Sequence, residues 1–474
     1  MSVHTFTRLG RPRRRVLAGV VAGALAVAGS AGAAQAAGPV AGGRTAAAPP
    51  TGPITLAQAV QIALTQNTTV LTARNNVALD ESGIRQARMN FLPDLRATTG
   101  TGASLGRNFD QSEGRIITQT TQSVSAGFAS SYTIWDGGRS TAGLRQARLT
   151  AGATEQDLSR ARQTAVFTVA SDYLALIRQQ EQLRIDQQNL ISQQETQSQI
   201  QKFVDAGSRA ISDLYQQEAT VAAAQSTVID AQNSVELANV DLIQVLELDP
   251  RGTYTFVAPA MPDTVHALQF SLDSLLTVAM RLRPDLAAES GRISADDAAV
   301  SAAADGRMPT ISLSAGYNTA FSSATATDFL DQLDQRRGGT LNIGLSVPVY
   351  DKGSTSVSAE RAALAQDDAR LQLVSDRQEV ALEVRRAYLD YLSAQQQLVA
   401  ANAQVTAAQL ALTTSQQRYQ VGLAALLDVT QASASLLQAE SNQSSAKYNL
   451  FFQRVLLDYY DGSLDPAHVS INGS

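Results

Sequence analysis

The chain has 474 residues, no Cys and three His, with a formal charge of −6. That composition excludes disulfides, thiolate metal sites, a thiol nucleophile, a lipid anchored on an N-terminal Cys and a metal cage built from His. No Pro lies between Pro93 and Pro250 or between Pro348 and Pro466, so very long regular elements are expected in place of several ordinary domains.

Residues 1–36 read as a secretory signal peptide. Arg8, Arg11, Arg13, Arg14 and Arg15 form a basic start, Val16 to Val27 an apolar run, and Ala34-Gln35-Ala36 a small-x-small cleavage site. Cleavage leaves 32 basic against 43 acidic residues, a balance that disfavours nucleic acid as a partner. Residues 37–53, rich in Ala, Gly and Pro, read as a flexible linker. No later apolar run reaches 18 residues, so any membrane span must be made of strands.

Residues 54–92 carry a helical period, with Leu56, Val60, Ala63 and Leu64 on one face. Pro93 then stops the helix. Two strands follow. Leu95, Ala97, Thr99, Thr101, Ala103 and Leu105 alternate with small or polar residues, and so do Val124, Ala126, Phe128, Tyr132 and Ile134. Trp135-Asp136-Gly137-Gly138 turns the chain into a helix. Residues 153–206 contain neither Gly nor Pro, which predicts roughly 80 Å of helix. Its apolar seam is Tyr173, Leu176, Leu183 and Leu190, spaced as in a coiled coil. Gly207 breaks the helix, and 208–249 returns as a shorter one.

The pattern then repeats. Pro93 matches Pro309 at 216 residues. Trp135-Asp136-Gly137-Gly138 matches Tyr350-Asp351-Lys352-Gly353 at 215, as do Gly207 and Gly422, and Asp213 and Asp428. The first copy spans 54–269, the second 270–461, and a tail occupies 462–474. In the second copy 270–307 reads as helix. Strands follow on Ile311, Leu313, Ala315, Tyr317 and Phe321 and on Leu341, Ile343, Leu345, Val347 and Val349. The Gly-free and Pro-free stretch 354–421 predicts roughly 100 Å of helix, with a seam on Leu389, Leu392, Val399, Ala403 and Leu410.

Each strand is about long enough to cross a bilayer when tilted, with one apolar and one small, polar face. Tyr132, Trp135 and Tyr350 fall where an aromatic belt would lie. Four strands cannot close a pore and open edges are not tolerated in lipid, so several protomers must share one barrel. The competing reading of the strands is a soluble β-sandwich.

These features together resemble the TolC-type outer-membrane efflux protein family over residues 54–462. The doubled opening helix carries the resemblance, with the hinges Tyr132 to Gly138 and Val347 to Gly353. So do the hairpin tips Phe203 to Gly207 with Asp213-Leu214, and Tyr419 to Gly422 with Asp428-Val429. It implies an α+β membrane protein: a homotrimer with a twelve-stranded β-barrel, four strands per protomer, continued by a long periplasmic α-helical barrel. It also implies an equatorial belt drawn from 250–269 and the tail. The partners it implies are the lipid bilayer, a periplasmic membrane-fusion adaptor and, through the adaptor, an inner-membrane pump of RND or ABC type. The implied function is a passive exit duct for efflux or type I secretion.

By the same resemblance Asp428 is the pore constriction, where three carboxylates near one axis would repel one another and draw cations. Gln431 departs from the family's second Asp one turn on. Asp213 and Tyr419 match contacts that hold the tip closed. The family's Arg is replaced by Ala424, and Arg209 in the other tip is the substitute considered. Gly207 and Gly422 mark the tip turns and adaptor contact, while Pro93, Pro309, Gly137, Gly138 and Gly353 mark the strand–helix hinges. The bland reading makes Asp428 an ordinary helix-start residue and places Asp213 and Tyr419 at a solvated turn. No nucleophile and base pair, phosphate loop, cofactor motif or metal motif is legible, so no enzyme is expected. The remaining alternative is an exported coiled-coil structural protein or adhesin.

Overall fold

The computed structural model describes residues 52–110, 114–257, 271–325 and 327–464. The signal peptide, most of the linker, His266, His468 and most of the tail lie outside the described residues. The chain divides into a sheet unit, 91–136 with 308–347, and a helical unit built from the remaining described segments.

In the sheet unit β1 (Arg96–Asp110), β2 (Arg115–Trp135), β3 (Thr310–Ser322) and β4 (Gly338–Ser346) form one antiparallel sheet in the order β1-β2-β3-β4. The register sets Ala97 against Phe128, Phe128 against Tyr317, and Leu313 against Ile343. Because side chains alternate along a strand, this register gathers Thr101, Leu105, Val124, Tyr132, Leu313 and Leu341 on one face. The Ser, Gly and Asn residues fall on the other. The apolar face is bare in the single chain: Phe128, Leu341, Ile343 and Leu345 are all exposed. A β-sandwich would have covered it. Three details differ from expectation. The β1–β2 hairpin is longer than its alternation suggests, β4 ends before Val347 and Val349, and a short helix, Phe329–Gln335, lies between β3 and β4.

In the helical unit, α1 (Leu56–Gln66) and α2 (Thr68–Met89) open the first copy. The long α3 (Arg139–Asp205) and its return α4 (Ile211–Val245) complete it. The second copy has α5 (Leu272–Leu282), α6 (Pro284–Ala304), then, past the short α7 (Phe329–Gln335) of the sheet unit, α8 (Ser354–Gln420) and α9 (Leu426–Tyr460). The long helices have 67 residues each and the return helices 35 each. At 1.5 Å per residue α3 and α8 are both about 100 Å long.

Three expectations need correction here. Each opening helix is two helices, broken at Asn67 and at Arg283, because Asn67 caps α2 with its own side chain and Pro284 starts α6. Helix α3 starts at Arg139 and runs through Gly143 and Gly152; packing overrides the weak helix propensity of Gly. The α8 seam is also different. Leu389, Leu392, Val399 and Leu410 are exposed, while Val380, Val384, Ala387, Tyr391, Ala394, Ala401, Leu412 and Tyr419 are buried. From Val380 to Ala394 those positions alternate in steps of four and three, and Ala401, Leu412 and Tyr419 follow at 7, 11 and 7 residues. The buried face carries its own large residues, Val380, Val384, Tyr391, Leu412 and Tyr419, with three Ala between them, while the expected stripe lies on an open face. In α3 the expected Tyr173 and Leu176 are fully buried, and Leu183 and Leu190 are half-buried.

The main core of the first copy packs Val166, Val169, Tyr173 and Leu176 of α3 against α1, Leu242, Leu246 and Phe256. Tyr173 anchors the 250–257 segment: its hydroxyl donates to the Ile54 carbonyl at 3.0 Å and to the Val257 carbonyl. The second core is Leu275, Leu286, Val380, Val384, Tyr391, Leu450 and Leu457.

Candidate functional site at the hairpin tips

The two helical hairpins reverse by the same device. At Gly207 φ is +68° and at Gly422 +83°, left-handed values that cost a residue with a Cβ. Ser208 donates its backbone N–H to the Phe203 carbonyl at 2.9 Å, and Leu423 to the Arg418 carbonyl at 2.8 Å. Each pattern closes a helix C-terminus in the Schellman manner. The matched carboxylates Asp213 and Asp428 then occupy the third position of α4 and α9.

From there the copies diverge. Tyr419, in the last turn of α8, is buried in an apolar cluster of Ile200, Leu214, Leu412, Leu426 and Val429. Its hydroxyl lies 3.4 Å from Asp213 Oδ2. The Arg209 guanidinium stacks 4.3 Å from the Tyr419 ring centroid and also donates to the Tyr419 carbonyl. That carbonyl belongs to the end of a helix, where the peptide dipoles favour a cation. Burial raises the Tyr419 pKa, and the Asp213 charge adds to the rise, so the phenol stays protonated and able to donate. Arg209, Asp213 and Tyr419 therefore form one clasp joining the first hairpin to the second within a single chain. The Tyr419 backbone leaves no local signal for Arg209, whose partner is 210 residues away.

Asp428 stands apart from the clasp. It is exposed, and its Oδ2 accepts the Ala425 backbone N–H at 3.1 Å. This bond satisfies one of the orphan donors at the start of α9. One carboxylate oxygen remains toward solvent. Gln431, also exposed, follows one turn on. Around the turn Val421, Leu423 and Leu427 are exposed apolar residues.

At the hinges, Gly137 and Gly138 take φ of +79° and +107°, and Lys352 and Gly353 take +57° and +80°. Asp351 accepts the backbone N–H of Gly353 at 3.0 Å and of Thr355 at 2.8 Å, which caps α8. Pro93 lies between α2 and β1, four residues beyond the end of α2, and Pro309 directly precedes β3.

A duplicated set of long paired helices, joined in sequence to strands with one bare apolar face, defines an outer-membrane exit duct. The chain belongs to the outer membrane efflux protein family, whose model matches residues 59–247 and again 275–463. It resembles the pyoverdine export outer membrane protein OpmQ of Pseudomonas putida, 26% identical over 397 residues, covering 78% of this chain and 80% of that protein. It also resembles the outer membrane protein TolC of Escherichia coli, 24% identical over 397 residues, with 81% and 77% covered. Among solved structures CusC superposes with a TM-score of 0.74 at 20% identity, covering 86% of this chain and 92% of that one. The outer-membrane channel OprN superposes with a TM-score of 0.73 at 22% identity, covering 86% and 89%. The protein is thus an efflux channel of the outer membrane, a conduit and not an enzyme. Among the described residues no helix is long and apolar enough to cross a membrane.

Proposed function

We propose that the chain is one third of a homotrimer. Its three sheets close a twelve-stranded barrel in lipid, and its helices extend into the periplasm as a tunnel. The single observation that carries this reading is the four-stranded sheet with an apolar face and unpaired outer edges on β1 and β4. In lipid each of those edges needs a partner strand. The helices tell the same story. Tyr215, Ile229, Leu237 and Val240 of α4 are exposed, as are Leu382, Leu389, Val399 and Leu410 of α8. These stripes suit a junction between α4 of one protomer and α8 of the next.

In this assembly the tips form the periplasmic mouth. The Arg209–Tyr419–Asp213 clasp holds the two hairpins of each protomer together, and three Asp428 carboxylates ring the constriction and favour cations. Opening is a two-state shift of the hairpins, biased by a periplasmic adaptor that binds around Gly207 and Gly422. The adaptor connects the duct to an inner-membrane pump of RND or ABC type. The signal peptide delivers the chain, and the Gly turns with Pro93 and Pro309 let it pass between strand and helix. Related proteins export pyoverdine or cations by their names; the duct itself conducts passively whatever the pump delivers, and type I secretion is the same task with a protein cargo. The test is fractionation and electrophoresis. The protein is expected in the outer membrane as a trimer that heat dissociates, and to conduct in planar bilayers. A soluble, non-conducting monomer overturns the reading.

A further inference from the structure

The connection between β3 and β4 is a folded element. Gln332, only 1% exposed, organises it: Oε1 accepts the Ser322 backbone N–H at 2.9 Å, while Nε2 donates to the carbonyls of Thr327 at 2.8 Å and Thr325 at 3.3 Å. Thr319 Oγ1 donates to the Leu333 carbonyl at 2.6 Å. The rings of Phe321 and Phe329 meet at 4.9 Å between centroids. The side chains of Thr319 and Phe321 belong to the same sheet face as Leu313, Tyr317, Leu341 and Ile343. Helix α7 is therefore fastened to the apolar face of the sheet.

Its height on that face follows from the strand. Ile311 to Phe321 spans ten residues, about 33 Å along β3, or about 23 Å of height at a 45° tilt. That is close to the roughly 25 Å apolar band of membrane barrels. Trp135 pairs with Ile311 at one end of the band, and α7 sits at the other. Leu330 on α7 is 75% exposed. One turn of helix separates it from Asp334, which pairs with Arg337 at 2.8 Å on the exposed side.

We infer that α7 is an outer-leaflet anchor: Leu330 lies in the acyl–headgroup boundary, and Asp334, one turn further along the same face, stands with Arg337 at the level of the headgroups. The occupant of this surface is lipid, because the surface continues the face that meets lipid along the strands. This rests on the reading of the sheet as a membrane wall. A short helix buttressed by a buried Gln fixes the depth of the barrel and resists its sliding toward the periplasm.

The chain has one Trp and no Cys, which makes the test clean. The Leu330→Trp, Trp135→Phe double variant is reconstituted in phosphatidylcholine vesicles with and without bromine near the headgroup end of the acyl chains. The expected result is loss of emission in brominated lipid and little quenching by aqueous iodide. Iodide quenching without bromolipid quenching overturns the anchor, as does resistance to both, which would mean a neighbouring copy covers α7. Leu330→Cys labelled with bimane repeats the measurement with Trp135 intact, in case the double variant fails to fold. Wild-type Trp135 separates the two readings. If bromolipid quenches Trp135 but not the label at 330, the anchor fails alone. If neither is quenched, the membrane wall fails with it.

Discussion

The long helices of the two copies both have 67 residues and the return helices both have 35, but the breaks in their opening helices are tied by different chemistry. At the break in the first copy, Asn67 caps α2 at 3.0 Å through the Thr69 N–H and donates to the Val245 carbonyl at 3.3 Å. Apolar Ile243 and Leu246 close the end of α4 there, with Leu246 fully buried. In the second copy the matching residue is Arg283, 5% exposed. It donates to Asp285 at 2.6 and 3.0 Å, to Glu383 at 2.8 Å and to the Tyr460 carbonyl at 3.3 Å. Arg160 joins from α3, 4.0 Å over the Tyr459 ring. Asp458 and Asp461 stand where the first copy has Ile243 and Leu246. Burial opposes the Arg283 charge, but its two carboxylate partners more than offset that and hold its pKa up. The first break is thus tied by the Asn67 amide together with Glu247, whose carboxylate accepts the Thr68 N–H at 2.5 Å, and the second by a buried ionic knot around Arg283. A buried pair is weak ground for added stability, yet removing one member leaves a stranded charge.

The largest expected effect follows from that difference. Arg283→Ala should destabilise by about 3–5 kcal/mol, whereas Asn67→Ala should cost about 1 kcal/mol, the worth of an N-cap. Thermal unfolding followed by circular dichroism would break the comparison if the two losses were equal.

The acidic end of α9 gives the next effect. Burial and the nearby Asp461 raise the Asp458 pKa from 3.8 to about 6. Between those values the folded chain keeps a proton that the unfolded chain has lost. Stability therefore falls as pH rises through that window, and the penalty is complete above it. Asp458→Asn should stabilise at neutral pH by at most about 3 kcal/mol and give no gain near pH 3. An equal gain at both pH values would assign the effect to something other than ionisation. Replacing Ile243, its apolar counterpart, has no such pH dependence.

Smaller effects are expected at the tips. Tyr419→Phe removes one hydrogen bond to Asp213, worth about 1 kcal/mol, and Arg209→Ala removes a stacked cation worth about 0.5–2 kcal/mol. Each should raise the open probability in planar bilayers by several-fold, without changing thermal unfolding much. Unchanged gating in both variants would remove the clasp from the account.

The doubled architecture was legible because the sequence register survives: a near-constant offset of 215 or 216 residues runs through Pro93, Gly138, Gly207 and Asp213 and their partners. Strand faces were legible for the same reason that sheets alternate. The tip pair Asp213 and Tyr419 lies together in the fold, but Arg209 was only a candidate, since a loop Arg carries no mark of the ring it will stack on. The seam of α8 is not legible because the helix carries two apolar stripes of similar spacing, and only packing decides that Val380, Val384 and Tyr391 turn inward and Leu389, Val399 and Leu410 do not. Helix α7 left no trace: seven residues beside a polar loop are too few for a period, and a single buried Gln332 makes it.

The central proposal is that the cation-binding constriction belongs to the second copy alone, although the clasp that holds the tip closed draws on both copies. Block of single-channel current by a trivalent cation, compared between Asp428→Ala and Asp213→Ala, tests it most directly. The account predicts that Asp428→Ala escapes block, while Asp213→Ala remains blocked and opens more often. Block that survives in Asp428→Ala, or that disappears in Asp213→Ala, would contradict it.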